Sequence, residues 1–328
     1  MTMKRMMVKT LDILKVLLLP AVVYVLFFAL SGGKFGSGKT MLMILQQSLV
    51  PALVSLAMCP NMICGRMDLS AGSIVMLSAM VGARLVNTFT IGIPAYAAVC
   101  VGLGLVLGIV SGAMYLAMRV PAIVTALGLC MIFEMFSNLC SMSWCTSITG
   151  VCTIPGRMPW NFIIFAFLFI AFYIIFNHTP FGYHVRAAGG NQLIARNSGI
   201  NVKRNAFFCY VISGVYLGAA ALLKLSTQGS IDTAMYMSST NIIFNCMLSI
   251  YIGFAIEKYC NIVVGITIGN IIMNMMASGL LSIGLPASLQ DVASGAVLLC
   301  IMLYTYNNQR VIDHFSRIRL RNSLIHGV

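Results

Sequence analysis

The amino-acid sequence predicts an all-α membrane protein with about ten transmembrane helices. Of its 328 residues, 60% are hydrophobic and only 8% are charged, and the mean hydropathy is +0.96. Soluble domains carry roughly 25% charged residues, so a surface of this composition cannot face water throughout. Most of the outer surface must therefore face lipid.

Ten apolar stretches account for the predicted helices. A helix needs about 20 apolar residues to cross the hydrocarbon core of a bilayer, and the stretches of this kind are 12–31, 41–60, 70–88, 93–118, 121–141, 160–178, 205–226, 237–256, 261–281 and 288–306. The first follows a basic N-terminus, as in a signal peptide, but it lacks a clear small-residue cleavage site. We therefore expect an uncleaved anchor and a single polytopic domain over residues 1–328.

The positions of the basic residues predict the orientation. If the N-terminus is cytoplasmic, only five of the 20 Lys and Arg residues fall outside the cell or near the outer membrane surface, namely Lys34, Lys39, Arg84, Arg157 and Lys224. Cytoplasmic loops carry an excess of Lys and Arg. We expect a multi-pass membrane protein with cytoplasmic tails at 1–11 and 307–328. The basic residues form no patch, so no nucleic-acid partner is expected.

Two glycine-rich stretches five spans apart predict an inverted repeat. Residues 101–121 and 264–286 both begin with Val-Gly and contain further glycines before a closing proline. An odd number of spans between the copies inverts the second copy, as in many transporters that alternate access between two sides. Chance similarity between glycine-rich membrane helices is the competing interpretation.

Reactive and metal-binding residues form no recognisable group in the sequence. Most of the 11 Cys residues lie inside apolar stretches, where Cys behaves as a small hydrophobic residue. Cys140, Cys145 and Cys152 surround one connection and could pair outside the cell. No C-x-x-C motif or His/Cys spacing typical of a metal site is present. We expect no enzymatic activity, no metal and no cofactor.

A phosphate-loop pattern occurs at residues 33–40. The sequence GKFGSGKT fits that motif letter for letter, but the motif binds phosphate only between a strand and a helix of a soluble sheet. Here predicted spans stand on both sides, and the charge distribution places the segment outside the cell. We therefore interpret the match as accidental.

A short polar segment precedes the third span. Asp68, Ser70 and Gly72 stand at the mouth of this apolar stretch, where a carboxylate and a hydroxyl group can cap the positive end of a helix. Taken alone, these residues indicate a helix cap beside Arg66, whose long side chain reaches toward water.

The longest polar segment, residues 180–204, joins the sixth and seventh spans. Gly190 and Asn191 introduce a short predicted helix over residues 192–197, and Gly199 ends it. A short amphipathic helix lying against the membrane can be bound and displaced by another protein. An ordinary basic loop is the alternative.

Two pairs of asparagines lie inside predicted spans. Asn241 and Asn245, and likewise Asn270 and Asn274, are four residues apart and share a helix face. Polar side chains are costly in hydrocarbon and face a bundle interior or a water-filled path. The pairs are candidates for lining a translocation pathway, with hydrogen bonds between helices as an equal alternative.

Several motifs in register resemble one family. The motifs are Asp68-Leu-Ser-Ala-Gly-Ser73, Arg119-Val-Pro-Ala-Ile-Val-Thr-Ala-Leu-Gly128, Ala188-Gly-Gly-Asn191 and Ser198-Gly-Ile-Asn-Val202. Their order and spacing, over roughly residues 40–305, resemble the permease subunits of ribose-type bacterial ABC importers. That family includes permeases for ribose, galactose, xylose and autoinducer-2.

The resemblance implies partners and site residues. The partners are a cytoplasmic ABC ATPase that hydrolyses ATP on its own subunit, a solute-binding protein, a second permease copy (identical or a paralogue) and membrane lipid. The family motif residues are Asp68, Ser70, Gly72 and Pro121. The implied coupling loop, which docks into the ATPase, comprises Arg186, Gly190, Asn191, Ala195, Arg196, Gly199 and Ile200.

The chain also departs from the family pattern. The glycine-rich stretch between spans eight and nine retains only Gly253, Ala277-Ser278 replaces the usual Arg-Asn in span nine, and Glu134 stands where relatives often have Arg. We expect a permease for a small polar solute, with a monosaccharide such as ribose as the first candidate. A nucleoside or branched-chain amino acid is the alternative substrate, and a secondary transporter acting alone is the alternative mechanism.

Overall fold

The computed structural model describes residues 16, 18–32, 34–89, 92–141, 145–148, 150–284, 289, 292–293 and 295–296. The helices in this part of the chain are α1 (Leu18–Leu30), α2 (Gly38–Ile63), α3 (Ala71–Phe89), α4 (Ile93–Met118), α5 (Ala122–Cys140), α6 (Trp160–His178), α7 (Pro180–Gly190), α8 (Gln192–Asn197), α9 (Val202–Gln228), α10 (Thr240–Ile256) and α11 (Ile262–Ser282). Two short strands, β1 (Cys145–Ser147) and β2 (Ser230–Asp232), pair antiparallel.

The helices confirm the predicted all-α membrane class. Within the described residues, seven helices are long and apolar enough to cross a membrane, namely α2, α3, α4, α5, α6, α9 and α11, and α1 and α10 are shorter apolar helices. These nine coincide with the first nine predicted spans, and α4 and α6 have the predicted bounds. The predicted span 288–306 lies almost wholly outside the described residues, so the count of ten and the inverted repeat stay predictions.

The chain divides into two compact units. One consists of residues 1–38 and 248–328, and the other of residues 39–247, so that the boundary falls inside α10. The division does not test the expectation of a single permease domain.

In the unit of residues 39–247, glycines bring the backbones of α4 and α9 into direct contact. A Cβ atom at Gly108 would lie 2.6 Å from the carbonyl oxygen of Tyr210 and 2.8 Å from the Cα atom of Gly214. At Gly218 it would lie 2.5 Å from the carbonyl oxygen of Cys100. Small residues at four-residue spacing allow such close approach between membrane helices. The position of α9 is therefore fixed by α4 at backbone level.

The two ends of α9 carry different structures. At its C-terminal end, β2 follows and pairs with β1, and the 3-10 turn Gly150–Gly156 packs against Ser226, whose Oγ donates to the carbonyl oxygen of Cys152 over 3.0 Å. At its N-terminal end, α8 precedes it after four residues. A helix of 27 residues is about 40 Å long, so α8 and the strand pair lie at opposite ends of a helix that is long enough to cross a membrane.

In the unit of residues 1–38 and 248–328, α11 also packs through glycines. A Cβ atom at Gly269 would lie 2.5 Å from the carbonyl oxygen of Ser249, and one at Gly279 would clash with the ring of Phe27. Buried side chains that include Val16, Leu248 and Ile252 form the apolar cluster of this unit. Close packing therefore stabilises both units, because lipid leaves little hydrophobic driving force between spans.

We predict that Gly108→Leu loosens the contact between α4 and α9. A leucine there has no space, and overpacking costs ~1–3 kcal/mol of unfolding free energy. The midpoint of thermal unfolding in detergent should fall by several degrees. Gly102→Leu is the matched control, since Gly102 lies on the same helix and a Cβ atom there would meet nothing within 4 Å. Equal midpoints for the two variants would contradict this packing.

Candidate functional site

The short helix α8 forms as the sequence predicts. The Asn191 side chain accepts hydrogen bonds from the backbone N–H groups of Leu193, at 2.9 Å, and Ile194, at 3.1 Å. Gly199 has φ +86°, a left-handed conformation typical of glycine after a helix end, and the Ile200 N–H donates to the carbonyl oxygen of Ala195 over 3.1 Å. Both ends of α8 are therefore held by local hydrogen bonds.

The segment before α8 is helical, which the sequence interpretation missed. Residues 180–190 form α7, and this helix continues through Gly189 and Gly190. Gly189 is needed for packing, because a Cβ atom there would lie 2.6 Å from the carbonyl oxygen of Ile63. At Gly190 a Cβ atom would meet nothing within 4 Å. The two neighbouring glycines thus have different roles.

Contacts join α7 and α8 to the end of α2. The Gln192 Nε2 atom donates to the carbonyl oxygen of Cys64 over 3.4 Å, and the Cys64 thiol donates to the carbonyl oxygen of Val185 over 3.6 Å. Arg186 donates to the Asn177 side chain over 3.3 Å, and its guanidinium carbon lies 5.1 Å from the ring centre of Phe176. Arg186 therefore links α7 to α6.

The outer face of α8 is apolar and exposed. Leu193 is 73% exposed and Ile194 is 64% exposed, whereas Ala195 is buried against the protein. Arg196 is exposed beside them. A six-residue helix that presents two large apolar side chains is suited to contact a groove of another protein.

The polar segment before α3 is a buried cap, as its residues indicate. The Asp68 Oδ1 atom accepts from the Ser70 N–H at 3.0 Å and from the Ser70 hydroxyl at 2.6 Å, and the N–H of Ile74 donates to the Ser70 carbonyl oxygen. Burial raises the pKa of the Asp68 carboxyl. Gly72 allows α3 to meet the segment before α10, because a Cβ atom there would clash with the carbonyl oxygen of Ser239.

Glu134 of α5 binds the same segment before α10. Its carboxylate accepts hydrogen bonds from the N–H of Met237 at 2.8 Å, from the N–H of Ser239 at 3.0 Å and from the Ser239 hydroxyl. Glu134 is buried. Together with Gly72, this carboxylate fixes the start of α10 against α3 and α5.

Comparisons with known proteins decide the family. The family described as "branched-chain amino acid transport system / permease component" matches residues 40–302. The chain belongs to this permease family. The resemblance found in the sequence motifs is thereby confirmed over the same part of the chain.

Curated relatives of this permease include three sugar or signal importers. It is 26% identical to the galactose/methyl galactoside import permease protein MglC of Escherichia coli K12, over 78% of this chain and 83% of that protein. It is 25% identical to the ribose import permease protein RbsC of the same strain, over 81% and 85%. It is 24% identical to the autoinducer 2 import system permease protein LsrD of Yersinia pseudotuberculosis, over 86% and 87%. No solved structure matches significantly.

Family membership identifies the permease as a transport subunit and not an enzyme, as predicted from the sequence. Within the described residues, no group of three His, Cys, Asp or Glu side chains lies together to hold a metal. Of the three cysteines near one connection, Cys140 carries a free thiol and Cys152 is buried. The side chain of Cys145 lies outside the described residues, so a disulfide involving it is untested.

The remaining family motif residue and the asparagine pairs occupy defined places in the permease. Pro121 precedes α5, and its carbonyl oxygen accepts from the Val124 N–H over 3.1 Å. Asn241 and Asn245 lie exposed on α10. The side-chain amides of Asn270 and Asn274 donate to carbonyl oxygens of their own helix, at 2.9 and 3.0 Å. The pathway role of both pairs stays a prediction.

We predict that Glu134→Ala destabilises the permease more than Glu134→Gln does. The alanine leaves the Met237 and Ser239 N–H groups without their acceptor, which costs ~1–3 kcal/mol for each buried group, whereas glutamine keeps one acceptor oxygen. The measurement is the midpoint of thermal unfolding in detergent.

Glu257→Ala is the matched control, because Glu257 is the other glutamate of the chain and is exposed. The expected order of midpoints is Glu257→Ala, then Glu134→Gln, then Glu134→Ala. Unchanged unfolding of Glu134→Ala would show that this carboxylate does not hold the start of α10.

Proposed function

We propose that the chain is the membrane-spanning subunit of an ATP-driven importer of a monosaccharide across the bacterial inner membrane. A separate ABC ATPase docks on α7 and α8, and a solute-binding protein delivers the sugar at the opposite face. A second permease copy, identical or paralogous, completes the pathway within the lipid. Both tails, 1–11 and 307–328, are cytoplasmic in this arrangement, in agreement with the positive-inside rule.

The observation that carries this proposal is the exposed apolar face of α8. Leu193 and Ile194 would cost free energy in water, and burying such side chains stabilises a complex by ~1.5–3 kcal/mol each. A secondary transporter acting alone has no need for such a docking face on a rigid helix. The ordered caps at Asn191 and Gly199 pre-organise this face, which lowers the entropy cost of docking.

Movement of α8 has a direct route into the membrane. The Asn201 side chain accepts from the Arg204 N–H over 3.0 Å and so caps α9 four residues after α8 ends. Because α9 contacts α4 through backbone atoms, the two helices move together when α8 is pushed. Closure of the ATPase around ATP thereby biases the permease between its two open states.

The relatives support a sugar as the substrate, because their names describe import of galactose, ribose and autoinducer 2. A branched-chain amino acid is the second candidate, because the family description names it. The asparagines at 241, 245, 270 and 274 carry amide groups that can bind the hydroxyl groups of a sugar.

The test is uptake by a strain that lacks this gene and carries it on a plasmid. We expect the plasmid to restore uptake of radiolabelled ribose or galactose and to leave leucine uptake unchanged. Restored leucine uptake without sugar uptake would favour the second candidate.

Within the same assay, Gly190→Trp should lower sugar uptake to less than about a tenth, because a clash of only ~1.4 kcal/mol lowers docking tenfold. The indole occupies open space next to α8, so the permease itself keeps its fold and its level in the membrane. Gly190→Ala is the control and should transport normally. Gly199→Trp is a weaker test, since its positive φ makes any side chain strained. Wild-type uptake by Gly190→Trp would contradict docking at this site.

A further inference from the structure

A basic cavity lies where α4 ends and α9 begins. Its volume is about 810 Å³, and the cationic residues that line it are Arg66, Arg119, Arg196 and Lys203. Among the described residues, no Asp or Glu lines this cavity. Four positive charges around one space without a carboxylate repel one another, so the cavity is suited to an anion.

Arg66 is the buried member of this group. Only 4% of its surface is exposed, and neither terminal guanidinium nitrogen has a hydrogen-bond acceptor within the described part of the chain. The guanidinium carbon lies 5.8 Å from the ring centre of Tyr115, which also lines the cavity. A cation–π contact offsets only part of the free energy that is lost when an unpaired charge is buried. Arg66 is therefore a buried cation whose terminal nitrogens lack an acceptor among the described residues.

Groups close in sequence do not supply the missing acceptor. Asp68 directs its Oδ1 atom to Ser70, and its Oδ2 atom makes no hydrogen bond to Arg66. A hydrogen bond with the Cys209 thiol and the charge of Arg66 lower the pKa of Cys64 to about 7, against the effect of burial. A Cys64 thiolate therefore supplies at most one negative charge against four positive ones.

The rest of the cavity wall indicates the kind of anion. Leu116, Val120, Ile200 and Val202 give it an apolar side. The cavity also lies at the ends of two spans, at the level where a lipid phosphate meets water. Basic pockets between membrane helices at this level bind the head groups of anionic lipids. A free phosphate ion has no apolar group that could contact the apolar side of the cavity.

We propose that this cavity binds the phosphate head group of an anionic phospholipid, with Arg66 as its innermost ligand. Arg196 and Lys203 approach the phosphate from α8 and α9, and the acyl chains leave along the apolar side. The bound lipid joins α8 to α4 and α9. This binding requires only the fold and does not depend on the proposed transport function.

The test uses the purified full-length protein in a neutral detergent. Thermal unfolding and native mass spectrometry are measured with phosphatidylglycerol, with phosphatidylcholine and with inorganic phosphate. We expect phosphatidylglycerol to raise the unfolding midpoint and to remain bound, and the other two to have little effect. Equal effects of phosphatidylglycerol and phosphatidylcholine would overturn the site, and an equal effect of inorganic phosphate would overturn its assignment to a lipid.

Variants locate the binding within the cavity. Arg66→Met keeps an unbranched but shorter side chain and removes its charge, so retention of phosphatidylglycerol should fall at least ~10-fold, as expected when a charged hydrogen bond is lost. Lys203→Gln is an exposed change that leaves the buried residues intact, and it should weaken binding to a smaller extent. Arg157→Met, an exposed arginine outside the cavity, is the control. Binding by Arg66→Met and Lys203→Gln equal to that of Arg157→Met would exclude this cavity as the site.

Discussion

The backbone contact between α4 and α9 is the constraint on which the rest of the larger unit depends. In lipid, apolar side chains gain little by leaving one apolar medium for another, so helices associate through close packing. Gly104, Gly108, Gly214 and Gly218 bring the two backbones together without intervening side chains. Because no side chain separates the two backbones, we infer that α4 and α9 move together as one element.

The pair of α4 and α9 connects the parts of the structure to which we assign functions. Its α9 part begins four residues after α8, and Arg119 follows its α4 part, so the proposed docking face and the basic cavity both adjoin it. At the other end of α9, Ser226 holds the 3-10 turn, and β2 follows α9 and pairs with β1. In the proposed mechanism, a push on α8 passes through the four-residue connection 198–201 into α9 and so reaches the opposite end of that helix.

Much of this arrangement follows from local sequence. Apolar stretches of about 20 residues located nine helices, because the bilayer imposes that length. Asn191 and Gly199 located α8, because an N-cap acceptor and a positive φ are properties of single residues. The same reasoning missed α7, since two glycines in a row indicate a loop. Packing of Gly189 against Ile63 overrides that local preference.

Contacts between residues that are far apart in the sequence could not be predicted from local sequence patterns. Glu134 and Ser239 are 105 residues apart, and only the fold shows that this carboxylate caps the segment before α10. The sequence indicated that Arg66 reaches toward water, whereas the structure buries it beside Tyr115. The spacing of Asn270 and Asn274 predicts that both lie on one face of the helix. It does not reveal that their side-chain amides donate hydrogen bonds to backbone carbonyl oxygens of the same helix.

The central claim is that α8 is the surface on which the ATPase acts. A photo-activated amino acid placed at Leu193 in cells that also produce the ATPase tests it directly, with Gln228 at the far end of α9 as the comparison position. The account predicts an ultraviolet-dependent product joining permease and ATPase from position 193 and none from position 228. A product from position 228 alone would contradict it.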